Sequence, residues 1–251
     1  MSHFKNKTAL ITGAGAGIGR ATALAFAERG TNVVVSDIDE ASGLETVNLV
    51  EKMRVKAIFI KADVAKKKDI QNLVKQTIAT FKTLDFAINN AGIGGPYAPT
   101  AAYEDDHWEQ VIAVNQTGIF YCMREELTVM QNQGNGAIVN VASMAGMRAL
   151  PNTIAYVASK HAVLGMTKTA ALEYARYGVR VNAVCPVFTH SKMFDDMAKA
   201  NPKMIEALKK TIPMRRFGEP EDIANAIIWL CDGGSSFVTG LSLPIDGGST
   251  A

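Results

Sequence analysis

The chain has 251 residues, 48% of them hydrophobic and 20% charged, with a formal net charge of +2. A balance this close to neutral gives no electrostatic basis for binding nucleic acid or an anionic membrane surface, so neither partner is expected. Cys122, Cys185 and Cys231 lack metal-ligand spacing and lie in apolar strings, which predicts reduced, buried thiols in a reducing compartment and no metal site.

No uninterrupted apolar run approaches the ~18 residues of a membrane span, and MSHFKNK has no apolar core of a signal peptide. A soluble, cytoplasmic protein is expected. Short β-rich runs then alternate with helical patterns. Thr8–Thr12 is an apolar strand, followed by a glycine-rich turn and a helix from about Gly17 to Arg29, stopped by Gly30. Asn32–Ser36 predicts a second strand, Ala41–Met53 a helix, Lys56–Ile60 a third strand, and Asp69–Phe81 an amphipathic helix with Ile70, Leu73, Val74 and Ile78 on one face. The run Lys66-Lys67-Lys68 at the start of that helix reads as a solvated face.

Leu84–Ile88 predicts a fourth strand, and after GIGGP one long helix spans about Asp105 to Gln131. Gly136–Ala142 is a fifth strand, Thr153–Tyr177 a helix ended by Gly178, and Val179–Val184 a sixth strand. A Met-rich helical insertion fills about Ser191–Lys210, Pro220 opens another helix with Glu221 and Asp222 in its first turn, and Leu241–Ile245 is a seventh strand. Strands alternating with helices imply βαβ units: an α/β, Rossmann-type, doubly wound parallel sheet of about seven strands with helices on both faces. Near-continuous apolar strands agree with burial on both faces. With no linker, repeat or low-complexity segment, a single domain over 1–251 is expected, carrying the insertion at about 188–214.

The turn Thr12-Gly13-Ala14-Gly15-Ala16-Gly17-Ile18-Gly19 joins the first strand to the first helix. Glycines there allow a tight turn and close approach of a ligand to backbone, and a helix N-terminus suits a pyrophosphate. The spacing is TGxxxGxG, and a tight turn without a ligand would read the same way. Asp37, 18 residues after Gly19, is placed where an acid hydrogen-bonds the adenosine ribose hydroxyls and repels a 2′-phosphate. It could equally be a helix N-cap, and the two roles are compatible. No Lys or Arg stands in the turn before Gly17. NAD(H) is therefore expected over NADP(H), with contacts from Gly13, Ala16, Gly17, Ile18, Gly19, Asp37 and Ile38.

Tyr156 and Lys160 are four residues apart in the helix predicted over Thr153–Tyr177, and i, i+4 residues share a face with Cβ atoms about 5–6 Å apart. Ser143, just after the fifth strand, would bring a hydroxyl to that phenol and ammonium. Taken singly, each of these residues more often packs or caps. Together, TGAGAGIG, Asp63-Val64, NNAG at Asn89–Gly92, Asn115, Ser143 and YVASK at Tyr156–Lys160 resemble the short-chain dehydrogenase/reductase family, in order and spacing, over essentially the whole chain.

The resemblance implies that Ser143 hydrogen-bonds the substrate oxygen and that Tyr156 is the general acid in ketone reduction and the general base in alcohol oxidation. It implies that Lys160 binds the nicotinamide ribose and lowers the tyrosine pKa, and that the Asn115 backbone holds a water in a proton relay. Asp63 and Val64 would contact the adenine; Asn90, Ala91 and Gly92 would floor the nicotinamide-side ribose; and Pro186, Thr189 and Ser191 would contact the carboxamide end. A homotetramer is also implied. The chain departs from the family pattern at Val187, where glycine usually follows Pro186, and at Ser191, where threonine is usual.

The substrate pocket is expected from Gly94–Tyr97, Met144–Asn152 and Phe188–Met214, with Met144, Met147, Leu150, Phe188, Met193, Phe194 and Met197 giving an apolar, adaptable lining. His190 lies in that loop; His161, five residues from Tyr156, is expected to point elsewhere. The reading that follows is an NADH-dependent ketone reductase or secondary-alcohol dehydrogenase acting on a small uncharged hydrophobic molecule. A 3-oxoacyl-[acyl-carrier-protein] reductase is the alternative enzyme, and a non-catalytic NAD(H)-binding sensor or scaffold the alternative of another class.

Overall fold

The computed structural model describes residues 3–190, 194 and 202–251. Seven strands form one parallel sheet in the order β3-β2-β1-β4-β5-β6-β7. They are β1 (Thr8–Thr12), β2 (Asn32–Asp37), β3 (Ala57–Lys61), β4 (Phe86–Asn89), β5 (Gly136–Val141), β6 (Val179–Pro186) and β7 (Ser242–Ile245). The helices are α1 (Gly17–Ala27), α2 (Glu40–Glu51), α3 (Lys67–Phe81), α4 (Asp105–Ile112), α5 (Gly118–Gln133), α6 (Ile154–Tyr174), α7 (Pro202–Thr211) and α8 (Pro220–Cys231). Among the described residues, no helix is long and apolar enough to cross a membrane.

Strand side chains alternate between two apolar cores. Ala9, Ile11, Val33, Val35, Phe86 and Ile88 face a core with Phe26 of α1 and Ile223 and Ile227 of α8. Leu10, Val34 and Ala87 face the other, with Leu73 of α3, Leu127 of α5 and Val163 of α6. Period-two alternation with both faces covered is the physical origin of the uninterrupted apolar runs.

Several boundaries differ from the sequence reading. Strand β2 runs on to Asp37, β4 to Asn89 and β6 to Pro186, because parallel pairing continues to those positions. The single long helix predicted over Asp105–Gln131 is broken by a π turn at Ala113–Thr117. The sixth helix ends at Tyr174 and continues as a 3₁₀ turn to Tyr177 before Gly178, at φ +73°, stops it. Of the helix expected over Ser191–Lys210, the described part is α7.

One polar cluster interrupts the second core. Asn89 and Asn140 are paired across β4 and β5, and Asn89 Nδ2 donates to Asn140 Oδ1 (3.0 Å) and to Glu126 Oε2 of α5 (3.0 Å). Asn140 Nδ2 donates to Thr167 Oγ1 at 2.9 Å. Glu126 is 1% exposed. Burial pushes its carboxyl from 4.5 up to about 7, against the opposing pull of the Asn89 hydrogen bond.

A carboxyl raised on folding takes up protons in the native state, so its contribution to stability is greatest below pH 4.5 and is lost as pH rises to about 7. Glu126→Gln removes that loss, worth on the order of 3 kcal/mol. The variant is expected to melt several degrees above the wild type at pH 8 and to match it near pH 4. An equal change in Tm at both pH values would contradict the assignment.

Candidate active site

The strand order reverses between β1 and β4, and in such sheets ligands bind outside the carboxyl ends at that switch point. A cleft of about 1010 Å³ lies there, walled by the loops that follow β1 to β6.

At one end is the glycine turn. Gly13 has φ +63°, and a Cβ there would lie 2.9 Å from Ala91 Cα and Asn90 Nδ2. Asn90 Nδ2 donates to the carbonyls of Thr12 (3.0 Å) and Gly13 (2.9 Å), tying the turn to the loop after β4. Gly19 does not line the cleft as expected. It lies beneath the turn, where a Cβ would stand 2.1 Å from Gly13 O, so its role is packing. Ala16, Gly17 and Ile18 do line the cleft. No side chain caps α1 and no acid occupies its first turn. The orphan N–H groups and the positive dipole end are thus left for a ligand, which suits an anionic group such as a diphosphate.

Asp37 closes β2 at the cleft edge. Its Oδ2 accepts from Gly15 N–H (2.8 Å) and its Oδ1 from Asp39 N–H (3.0 Å), which fixes the carboxylate. The N-cap of α2 is Asp39, which accepts from Ala41 and Ser42 N–H, so the capping role open to Asp37 falls to its neighbour. Ile38 is 63% exposed at the lip. The Arg20 guanidinium is engaged: its Nε donates to Thr46 Oγ1 (3.0 Å) and its Nη2 to Gly15 O of the turn (2.5 Å) and to Glu45 (2.6 Å). Asp63 and Val64 line the same end; Asp63 Oδ1 accepts from Ala65 N–H at 3.1 Å, and Lys66 Nζ lies 3.2 Å from its other oxygen.

Near the middle of the cleft, Ser143 leaves β5 and begins a 3₁₀ turn, its Oγ accepting from Ala145 N–H at 3.0 Å. Tyr156 stands half-buried in the first turn of α6 and lines the cleft with Ser143. Desolvation raises the phenol pKa, the Ser143 hydroxyl lowers it, and the nearby Tyr97 phenol raises it. Lys160 is 4% exposed and donates from Nζ to Val141 O at 2.8 Å. Desolvation brings its pKa from 10.5 down to about 8. Its Nζ lies 5.6 Å from the Tyr156 ring centroid.

Asn115 sits in the π turn, fully buried, and its side chain reaches back to the loop after β4. Its Oδ1 accepts from Ile93 N–H and its Nδ2 donates to Ile93 O, both at 2.8 Å. Asn90, Ala91 and Gly92 line the cleft in that loop, and a Cβ on Gly92 would lie 3.2 Å from Asn115 Oδ1 and 3.7 Å from Lys160 Nζ. A π turn leaves a carbonyl without its α-helical partner, a common feature of functional helices.

Pro186 and Thr189 line the cleft, as do Met144, Leu150, Phe188 and Phe194. Two expected wall residues do not. Met147 follows the 3₁₀ turn, which carries its side chain outward to 42% exposure. His190 packs edge-on against Phe194 and Phe217, 3.9 Å from Glu219, behind the wall. Ser191, Met193 and Met197 lie outside the described residues. His161 Nδ1 is 2.9 Å from Val157 O in an exposed position.

The lining also includes Ile93, Gln110, Val114 and Thr153, which motif reading passed over, and Val187, the residue that stands in place of the family's glycine. Helical spacing could have found two of them, since Gln110 is four residues before Val114 and Thr153 three before Tyr156. Val187 has no left-handed φ, so the residue in place of glycine sits on ordinary backbone. Among the described lining residues the charged ones are Asp37, Asp63 and Lys160.

A family model described as enoyl-(acyl carrier protein) reductase matches residues 13–250. The chain is 45% identical to an uncharacterised oxidoreductase of Thermotoga maritima, covering 99% of both chains. It is 40% identical to a cyclohexanol dehydrogenase of an Acinetobacter species (strain SE19), over 99% of this chain and 96% of that one. The solved structure of an NAD⁺-bound xylitol dehydrogenase superposes with a TM-score of 0.95 at 35% identity, over 98% of this chain and 100% of that one. The serine–tyrosine–lysine set beside an uncapped, glycine-lined helix start, together with these likenesses across nearly the full length, places this chain in the short-chain dehydrogenase/reductase family of oxidoreductases.

Proposed function

We propose that this protein is an NADH-dependent ketone reductase, and in reverse a secondary-alcohol dehydrogenase, acting on an uncharged hydrophobic substrate. The observation that carries the reading is the half-buried Tyr156 phenol, set with Ser143 and Lys160 in a cleft whose described substrate wall is Met144, Leu150, Val187, Phe188 and Phe194. Among the described residues that wall offers no charge to pair with a carboxylate or phosphate, and leaving one unpaired in an apolar wall costs several kcal/mol.

The residues at the other end suit a nicotinamide dinucleotide: the uncapped start of α1 for the diphosphate, Asp37 for the adenosine ribose, and Asn90 to Gly92 with Lys160 for the second ribose. When bound, such a cofactor supplies a hydride to the carbonyl carbon or takes one from the carbinol carbon. Ser143 Oγ–H donates to the substrate oxygen and polarises the carbonyl. Tyr156 Oη–H delivers the proton to that oxygen, and burial keeps the phenol protonated at neutral pH, the form required of an acid. One of the three donors of Lys160 goes to Val141 O. The other two remain for ribose hydroxyls, and its charge favours the phenolate that forms. A water on the Asn115 backbone would return the proton from solvent. The dinucleotide preference rests on Asp37, whose carboxylate, already holding two N–H groups, would oppose a 2′-phosphate.

Steady-state rates of NADH consumption with neutral cyclic and aryl ketones, 2-keto acids and acyl-carrier thioesters test the reading. The neutral ketones are expected to have the highest kcat/KM. Because Tyr156 must be protonated for reduction and ionised for oxidation, ketone reduction is expected to fall, and alcohol oxidation to rise, with increasing pH. A preference for thioesters or keto acids, or parallel pH profiles in the two directions, would overturn it.

A further inference from the structure

Val187 is shared by two cavities. One side of it lines the cleft, and the other lines a second cavity of about 400 Å³ with Ile212, Met214, Phe217, Pro244 and Ile245. The charged groups around this second space are already engaged. Arg216 is bonded to Asp222, and the Asp246 carboxylate accepts from Gly248 N–H (3.0 Å) and Thr250 Oγ1 (2.6 Å). The other side chains that line it are apolar.

The segment carrying Val187 is pinned on both edges. Val187 N–H donates to Ile245 O (3.2 Å), and Val187 O accepts from Thr189 Oγ1 (2.9 Å). Gly218 N–H donates to Phe188 O, and His190 N–H to Gly218 O, each at 2.9 Å. A Cβ on Gly218 would already stand 2.9 Å from Thr189 Oγ1, so the two segments have no room to move closer. Backbone held this way does not collapse into the space left by a truncated side chain. Glycine at this position would therefore leave an opening between the two cavities.

We infer that Val187 is a specificity-determining partition that confines the substrate to compact rings, and that the second cavity is a latent extension of the pocket suited to a fused alicyclic hydrocarbon. This rests on the reading of the protein as a ketone reductase. The isopropyl group excludes the far ring by occupying its path, with no role in hydride or proton transfer.

The test compares cyclohexanone with the bicyclic 2-decalone in wild type, Val187→Gly and Val187→Leu. Val187→Gly is expected to raise the decalone-to-cyclohexanone ratio of kcat/KM by about tenfold or more, as one methylene in an apolar pocket is worth roughly 10–200-fold. Val187→Leu is expected to lower it and keeps the test decisive if the glycine variant does not fold. The corresponding ratio of dissociation constants is read without turnover from the quenching of NADH fluorescence in the enzyme–NADH complex. If the wild type reduces cyclohexanone and the ratio does not rise in Val187→Gly (or does not fall in Val187→Leu, where glycine prevents folding), the partition is wrong and the ketone-reductase reading stands. If the wild type reduces neither ketone, the functional reading fails, and the ratio of dissociation constants alone decides the partition by the same criterion.

Discussion

Tyr156→Phe is expected to lower kcat for ketone reduction by about 10³-fold, within the 10²–10⁴ that a positioned proton donor contributes, while the Kd for NADH changes little. The substitution removes one oxygen and leaves the ring that packs in the first turn of α6. Lys160 keeps its bond to Val141 O, and the loop after β4 keeps its ties to Asn115. The adenosine end of the cleft is built from the glycine turn, Asp37 and Asp63, none of which touches the phenol. Ser143 retains its hydroxyl and can still polarise a carbonyl, yet it has no neighbouring base to replace its proton. Stopped-flow rates and fluorescence titration of the same preparation separate the two effects. A rate within tenfold of wild type would remove Tyr156 as the acid, and a large loss of NADH affinity would show the variant to be misfolded locally.

Pairing Asp37→Ser with Ile38→Arg is expected to move the NADPH-to-NADH ratio of kcat/KM upward by about 10³-fold. Two unit charges 4 Å apart at a protein surface interact by about 4 kcal/mol, so removing a repelling carboxylate and adding an attracting guanidinium act in the same direction. Ile38, exposed at the lip, can carry the longer side chain without disturbing the core. Serine still accepts one of the two N–H groups that Asp37 holds, so NADH use falls without loss of the turn. Steady-state kinetics with both cofactors read the change. Wild-type preference for NADPH, or an unchanged ratio in the variant, would contradict the role given to Asp37.

The strands and their alternation were legible in the sequence because each position answers to one local requirement. Val33, Val34 and Val35 are apolar in succession since both faces of β2 are covered. The glycine turn was legible for a similar reason, as Gly13 must adopt a positive φ against Ala91. Gly19 shows the limit of motif reading, because the same constraint that demands glycine there buries it under the turn and out of the cleft.

What the sequence left open depends on contacts between distant segments. The π turn at Ala113–Thr117 has no local signature; it accompanies the bond between Asn115 and Ile93, 22 residues apart. Nothing local marks Glu126 as buried; its carboxyl meets the Asn89–Asn140 pair beneath α5, far away in sequence. Met144 and Met147 read alike, yet a 3₁₀ turn between them sends one into the cleft and the other to the surface. Val187 appeared as a lost glycine, and its meaning lies in the second cavity, whose lining is drawn from three separate stretches of chain.

The most direct measurement follows the hydride itself. Wild-type protein is incubated with cyclohexanone and NADH deuterated at the transferable position, and the alcohol is analysed by mass spectrometry. The expected result is cyclohexanol carrying a single deuterium on the carbinol carbon, with much less product from equally labelled NADPH. Absence of cyclohexanol, or alcohol free of deuterium, would contradict the account.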